Sequence, residues 1–499
     1  MLAWLAIAAT FWSGDVSLVP PVEPVGDRPT RTETDDPITR HPYLYTTLET
    51  AAGLAIGAAW YMRHGTDPRW NRALDWRSWK RKLFSTEDIV FDGDHFNTNA
   101  VGHPLDGAVY YQIARGNGLG PGASLLSSFL ASTFWEYFVE LPEHPSLNDL
   151  IMTPVGGAIL GEATYQLGRY FAKSGSGTIR CAGALVFAPV ATLNDRPFCR
   201  VRPGVLIPSA HLGLSLGINR AIFDERVVKD EFVLQLGSEI VSNRAYQRPG
   251  QGAVVVGPGQ WTAVYLDSRL GEDMLEGIWL HARTVWGGRY DRNYWTIGDE
   301  TDLPGTGGHP RGWGMLLAIG SSADYRMRQI PQGHDRIAGI GLGGPSFEWS
   351  MRRSYLLRAF LSMEYTFALV DSMAYRAYIL SLVDDVIKTS LRDSGYYYGH
   401  GVVSAATLTA DFGPIGFIAD GRGAWYWSIN GADPAQSAIQ RDVLLHDSRI
   451  YLSAALWTRP LGALRFGIGV EHVRRTSNML DTAVVGTESD VMATTAIGF

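Results

Sequence analysis

The sequence predicts an α+β chain: an N-terminal helical domain followed by an antiparallel transmembrane β-barrel. Three observations predict it. From about Thr178 onward apolar and polar residues alternate with a period of two. The polar positions in that alternation tolerate full charges. Mean hydropathy is only −0.03 although the chain holds 22 Tyr and 16 Trp among 499 residues. A polytopic helical membrane protein needs several apolar runs of about 20 residues. Membrane barrels instead hide their hydrophobicity in the alternation and read as nearly neutral.

The strands carry the argument furthest. In Leu357 to Leu369 the odd positions are Leu357, Ala359, Leu361, Met363, Tyr365, Phe367 and Leu369, and the even ones include Arg358 and Glu364. Leu464, Phe466, Ile468 and Val470 alternate in the same way with Arg465, Gly467, Gly469 and Glu471. In a membrane barrel the apolar face meets lipid and the polar face lines the lumen. Arg358, Glu364, Arg465 and Glu471 are therefore the expected lumen-lining charges.

Strand candidates fall at 178–190, 206–218, 231–241, 259–269, 275–290, 313–326, 335–350, 355–372, 398–412, 415–429, 448–458, 463–475 and 490–499. That is an odd number, and a single-chain bacterial barrel needs an even one. One segment is thus miscounted; about 12 strands is the favoured reading and 14 the alternative. Tight turns are expected at Arg352-Arg353, Gly413-Pro414 and Arg459 to Leu461, with longer connections at 380–397, 430–447 and 476–489. The long connection at 291–312 falls where this phase predicts a short turn. Aromatics gather near strand ends, at Trp279 and Trp286, Tyr396 to Tyr398 and Trp425 to Trp427, as interface girdles would. The last strand, DVMATTAIGF, ends on Phe499, resembling the C-terminal signature of bacterial outer-membrane barrels. The resemblance implies the outer membrane of a Gram-negative bacterium, outer-membrane lipid as surroundings, and the barrel-assembly machinery as a partner recognising that strand.

Ahead of the barrel (176–499) lie three segments. Residues 1–20 form a candidate signal peptide, with apolar MLAWLAIAATFW and a small-x-small Ala6-Ile7-Ala8, though no Lys or Arg precedes it. Residues 21–44, rich in Pro, Asp, Thr and Arg, read as a linker. Residues 45–175 form the helical domain. Helices are expected over Tyr45 to Arg63, 104–116, Gly122 to Glu140 and Gly156 to Phe171, with Ser146 or Asn148 available as a cap. Trp70 to Phe84 is basic and aromatic, fitting an amphipathic helix on lipid or on its own domain. Gly116 to Gly120 lacks Lys-Ser/Thr and follows a helix, so it reads as a helix stop and not a phosphate loop.

A net charge of −7 provides no basic footprint, which argues against nucleic acid. Cys181 and Cys199 are too few for a disulfide scaffold and lack metal-ligand spacing. A hairpin about Asn194-Asp195 would set Cys199 against Val190; an oxidising compartment would allow a bridge to Cys181.

The unusual chemistry lies between Asp92 and Tyr170, where His103, Tyr110, Arg115, Glu136, Glu140, Asn148, Asp149 and Glu162 stand among glycines, alanines and aromatics. No H-E-x-x-H, G-x-S-x-G or Cys–His cluster occurs, so neither a zinc protease nor a hydrolase elbow is indicated, and no catalytic residue, metal or cofactor is assigned. The leading expectation is a buried polar network in which Arg115 pairs with a glutamate. A ligand or headgroup site is the second reading, and an acid–base site is the third. The ordered blocks HPLDGAVYYQIARGNGLG, SSFLASTFWEYFVE and PSLNDLIMTPVGGAILGE resemble a bacterial family known as a domain of unknown function, number 3943, over roughly 90 to 175. The resemblance implies an envelope protein with a β-rich C-terminal half and brings no catalytic residue. The expected role is an outer-membrane barrel whose helical domain plugs the lumen or sits beneath it, in transport or envelope organisation. The competing expectation is an envelope enzyme acting on lipid or glycan, with His103, Glu136, Asp149 and Glu162 converging.

Overall fold

The structure, a computed structural model, describes residues 41–64, 80, 82–84, 89–140, 144–173, 177–194, 208–296, 310–379, 395–429, 444–461 and 464–498. The candidate signal peptide, nearly all of the 21–44 linker, most of the Trp70 to Phe84 segment and Phe499 lie outside them.

Among the described residues six helices longer than one turn precede the strands: α1 (Pro42–His64), α2 (His103–Gly116), α3 (Pro121–Phe134), α4 (Gly157–Lys173), α5 (Thr178–Phe187) and α6 (Pro189–Asn194), with a single turn at Asp149–Ile151. Wide five-residue turns extend three of them, at Thr98–Gly102 before α2, Trp135–Val139 after α3 and Met152–Gly156 before α4. Among the described residues no helix is long and apolar enough to cross a membrane. The described residues form thirteen strands: β1 (Ser209–Phe223), β2 (Val227–Val241), β3 (Gly250–Val256), β4 (Trp261–Leu270), β5 (Gly277–Thr296), β6 (Pro310–Ile330), β7 (Gly333–Arg352), β8 (Leu356–Asp371), β9 (Tyr396–Asp411), β10 (Ile415–Ser428), β11 (Leu445–Leu461), β12 (Leu464–Met479) and β13 (Thr482–Gly498). A short helix, α7 (Met373–Ile379), follows β8.

Every strand pair is antiparallel, and β1 pairs with both β2 and β13, closing the ring. β3 stands outside it, pairing only with the end of β5 that runs past β4, which leaves twelve strands in the barrel. Closure leaves no edge strand inside an apolar slab, where an unpaired backbone group would be costly.

The odd strand count has a specific cause. The 178–190 candidate is helical, as α5 and the start of α6, and the other twelve candidates are the twelve barrel strands. Its run ALVF follows Thr-Ile-Arg-Cys-Ala-Gly, and a short apolar run does not distinguish a strand from a buried helix. The helical domain thus continues past 175, and its first helix begins at Pro42, inside the expected linker. Cys181 on α5 is disulfide-bonded, and Cys199 is the sequence's one other cysteine. The expected connection at 476–489 is also corrected: β12 and β13 run on to a two-residue turn, with Leu480 at φ +52°. Tight turns lie at both rims of the barrel, so connection length does not distinguish them.

β1 starts and β13 ends at one rim, called here the terminus rim; the other is the far rim. Side chains alternate between lumen and outer wall. On β8 the even residues point inward: Arg358 bonds Glu239 of β2, and Glu364 accepts from Ser322 of β6. The odd residues Leu361, Met363 and Tyr365 are exposed on the outer wall. β8 pairs with β9 without a register break, so Phe367 and Leu369 lie on that same outer face. They are nevertheless buried, because Phe91 and Met152 of the helical domain cover them.

This parity corrects the expected plug. The helical domain packs on the outside of the barrel. α4 crosses the outer wall diagonally, its Ile159 carbonyl accepting from Thr284 of β5 at 3.1 Å, and its Leu167 and Tyr170 covering Ile240 of β2. α2 crosses α4 with almost no side chain between them. A Cβ on Gly107 would lie 1.7 Å from the Thr153 carbonyl oxygen, and one on Gly157 would lie 2.3 Å from the Gly107 carbonyl carbon. Gly107→Ala should therefore lower the stability of the helical layer by at least the ~1–3 kcal/mol typical of overpacking. Limited proteolysis checks it: the helices should become cleavable while the barrel keeps its heat-modifiable gel migration.

Candidate functional site

The polar residues of the helical domain form two separate centres. α2 links them, with His103 at one end and Arg115 at the other, about 18 Å apart at the helical rise.

The far-rim centre is built on Asp92. Its carboxylate accepts from Asn148 (2.9 Å), Ser146 Oγ (2.8 Å), Asn99 (2.7 Å) and the Tyr398 hydroxyl (3.1 Å). Asn148 returns the contact by accepting from the Asp92 N–H at 3.0 Å. Ser146 Oγ also accepts from the Asp149 N–H at 3.2 Å, so Ser146 and not Asn148 caps that turn. His103 Nε2 lies 3.1 Å from Asp149 Oδ1. Carboxylate oxygens of Glu136, Glu140 and Asp149 lie within 4.8 Å of one another, the closest approach to a cation-binding set among the described residues. Each is already engaged by protein: Glu136 by the Ser146 N–H (2.8 Å), Glu140 by Trp135 Nε1 (2.8 Å) and Asp149 by Asn148 (2.8 Å). Lys82 closes the centre by donating to the carbonyls of Glu136 (2.8 Å) and Glu140 (2.5 Å).

The carboxyls of this centre are pushed apart. Burial alone would raise Asp92, but its hydrogen bonds, led by Asn148, hold it below the usual carboxylate range. Asp149 is raised well above that range by burial and then by the charges of Asp92, Glu136 and Glu140. Burial lifts Glu136 to about 7. Burial also lowers His103, favouring a neutral imidazole. Such a set can share and hold protons, yet no serine, threonine or cysteine nucleophile stands against His103 in the contacts of the centre.

The terminus-rim centre is the Arg115–Glu162 ion pair. Arg115 donates from Nε to Oε2 at 2.8 Å and from Nη2 to Oε1 at 3.2 Å. Tyr111 (2.8 Å) and Gln166 (2.7 Å) donate to the same carboxylate, and Arg115 stacks over Tyr165 at 4.5 Å. Gly259, at φ +73°, lies so close that a Cβ there would meet Glu162 Oε1 at 2.0 Å. This shields the pair with the loop between β3 and β4.

The expected eight-residue cluster is therefore divided. His103, Glu136, Glu140, Asn148 and Asp149 meet at the far rim; Arg115 and Glu162 meet at the other. Tyr110 belongs to neither, being only half-buried against α1 beside Gly53, while its neighbour Tyr111 turns inward to Glu162. A convergence of Glu162 with His103 is corrected, because His103 begins α2 and Glu162 is bonded to Arg115 at that helix's other end. Sequence reasoning missed Asn99, Tyr396 and Tyr398. The run Tyr396-Tyr397-Tyr398 held the signal: in a strand the outer two share one face, while Tyr397 points inward to Asp447 at 3.0 Å.

The lumen is bridged by charge. Arg328 joins Glu231 (2.6 Å) and Glu488 (2.5 Å), and Arg475 joins Glu488 (2.5 Å) and Asp335 (2.6 Å). Arg449, fully buried, reaches Asp335 at 2.9 Å. Nearer the terminus rim Arg358 pairs with Glu239 and Glu348. Between these layers lies a cavity of about 550 Å³, with Glu364 and Glu471 in its wall. Arg465 shares the inward parity and lies over Trp457 at 5.8 Å.

An apolar outer wall, a charged lumen and a closed twelve-strand ring define a transmembrane β-barrel, here with a helical domain on its outer wall. Residues 88–190, which hold both polar centres, match the family described as Domain of unknown function (DUF3943). No curated protein matches the chain. The solved structures it resembles include the NanC porin (5% identity, 56% of this chain and 98% of that one, TM-score 0.23) and the outer membrane channel DcaP of Acinetobacter baumannii (10% identity, 59% and 97%, TM-score 0.22). The translocator domain of the autotransporter NalP from Neisseria meningitidis is another (7% identity, 58% and 88%, TM-score 0.19).

Breaking the buried Arg115–Glu162 pair by Arg115→Met should cost about 3–5 kcal/mol, and adding Glu162→Leu should recover much of the loss. Chemical unfolding of the three proteins checks this. Glu136 has a raised folded pKa, so its contribution is present below about pH 4.5 and is lost as pH rises toward 7. Glu136→Gln should flatten the decline in helical-layer stability across that window, read by hydrogen exchange at several pH values.

Proposed function

We propose that this chain is a Gram-negative outer-membrane protein that works in envelope organisation at the barrel's lipid-facing wall and does not act as an open channel. The observation that carries this reading is the division of the molecule. The lumen is bridged by Arg328, Arg475 and Arg449 with their carboxylates, while the family segment is mounted on the outer wall. A porin needs a water-filled lumen, and charge layers that bond to one another across the ring obstruct one.

Support for the outer membrane comes from the closed barrel, the start of β1 and the end of β13 at one rim, and a disulfide at Cys181, a bond favoured in an oxidising compartment. The C-terminal strand is read as the segment recognised by the barrel-assembly machinery. The competing reading, an enzyme acting on lipid or glycan, has His103, Asp149 and Glu136 in its favour, but these groups and the neighbouring Ser146 hydroxyl are engaged with one another and with Asp92.

Planar-bilayer recording checks the reading. Wild type should show no steady open-channel steps, whereas Arg328→Ala with Arg475→Ala should introduce them. Steady porin-like conductance in the wild type would sink the proposal.

A further inference from the structure

We infer that the helical layer is itself immersed in the bilayer, with the outward faces of α1 and α3 in contact with lipid acyl chains. This rests on the reading that the barrel spans a membrane, and it names the surface through which the rest of the chain meets lipid.

α3 is built inside out. Its hydroxyls Ser124, Ser128 and Ser132, spaced one turn apart, are buried. Ser128 donates to the Gly107 carbonyl at 3.1 Å and Ser132 to the Asp149 carbonyl at 3.2 Å. The opposite face carries Leu126 and Leu130, 56% and 57% exposed, with Leu125, Phe129 and Phe134 beside them. A helix on a water-soluble domain arranges these residue types the other way, apolar side inward. Between membrane helices, by contrast, small and hydroxyl residues face the partner helix and large apolar ones face outward. The Gly107–Gly157 crossing behind α3 shows the same small-residue contact.

α1 repeats the pattern. Its Glu49 turns inward to Asn117 at 2.7 Å, while Ile56 and Trp60 are 72% and 65% exposed. α3 itself runs 14 residues, Pro121 to Phe134, about 21 Å of helix, and the Glu136 turn that follows it belongs to the far-rim polar centre. That is shorter than a hydrocarbon thickness of about 30 Å, so α3 lies along the barrel wall within the slab and does not itself cross it.

The lipid surface of the barrel identifies the occupant. Outward residues such as Leu361 and Ile468 are exposed in the same way around the ring. Where the helical layer covers that wall, as at Ile240, α1 and α3 provide a replacement apolar surface. The far-rim level is also marked on the wall. Tyr365, His400, Trp427 and His446 form a ladder of rings on four successive strands, from β8 to β11, at centroid distances of 5.9, 6.1 and 5.4 Å. Tyr and Trp rings such as Tyr365 and Trp427 favour the membrane–water interface. Tyr398, which holds Asp92, lies one outward position beyond His400, so the far-rim polar centre stands at headgroup height and α3 lies along the apolar slab below it.

The test uses the full-length protein in vesicles of phosphatidylethanolamine and phosphatidylglycerol carrying a diazirine at mid-chain of the acyl group. After irradiation, labelled peptides are mapped by mass spectrometry. Label is expected on 125–134 of α3 and on α1 about Ile56, at levels within about threefold of those on Leu361 and Ile468. Label on the barrel positions with none on either helix would overturn the inference and leave the barrel reading intact. Absence of label on Leu361 and Ile468 would instead overturn the membrane reading on which it rests. A peptide of α3 joined to a second copy of this chain by a short cross-linker, in place of lipid label, would also overturn it. Leu126→Arg with Leu130→Arg should reduce recovery of the protein in vesicles while leaving detergent-solubilised protein folded; equal recovery would count against acyl contact.

Discussion

Closure of β1 on β13, in unbroken register from Gly213 opposite Gly498 to Phe223 opposite Glu488, is the constraint on which the rest of the molecule depends. In hydrocarbon every backbone N–H and C=O needs a partner within the protein, and only a closed sheet supplies them for strands. Once the ring closes in one register, each side chain is committed to the lumen or the wall. Arg269 on β4 can then meet Asp490 on β13 at 2.7 Å, across two intervening strands. A slip of one residue in any strand would send its charges to the wall and its leucines to the lumen.

The lumen and the outer wall solve opposite problems. Inside, arginines and carboxylates leave water together, so each must find several partners; Arg328 and Arg475 share Glu488, and Arg449 and Arg475 share Asp335. Outside, much of the wall is exposed and apolar, with leucines such as Leu361 and Leu456, and part of it is covered by helices. The covering is close because glycines let α2 and α4 approach backbone to backbone, which keeps the layer thin. The polar centres lie at the two ends of α2, with the Asp92 network about His103 and the Arg115–Glu162 pair at the other end.

Much of the barrel is legible in the sequence. Alternation in Leu357 to Leu369 defines both faces of β8, because a period of two is local to one strand. The Arg115 pairing with a glutamate is legible as a requirement of buried charge, though which glutamate is not. The 178–190 segment reads as a strand and folds as helix because a short apolar run without a clear period fits either equally. The clustering of His103 with Glu162 fails for a different reason. Residues on two crossing helices meet or part according to where the helices cross, and that crossing is set by Gly107 against Gly157.

The sequence by itself determined that one face of each strand is apolar and the other charged, that about twelve such strands are available with fourteen the alternative, and that the segment before them holds polar residues among small ones. These are local properties, fixed by residue type and spacing. The tertiary structure alone decided that the helical layer lies on the wall and not in the lumen. A glycine- and serine-rich helix with polar residues on one side is compatible with either place. The choice turns on parity at Phe367 and Leu369, which continue the outward face of β8 yet are buried, and on a lumen already occupied by its own charges.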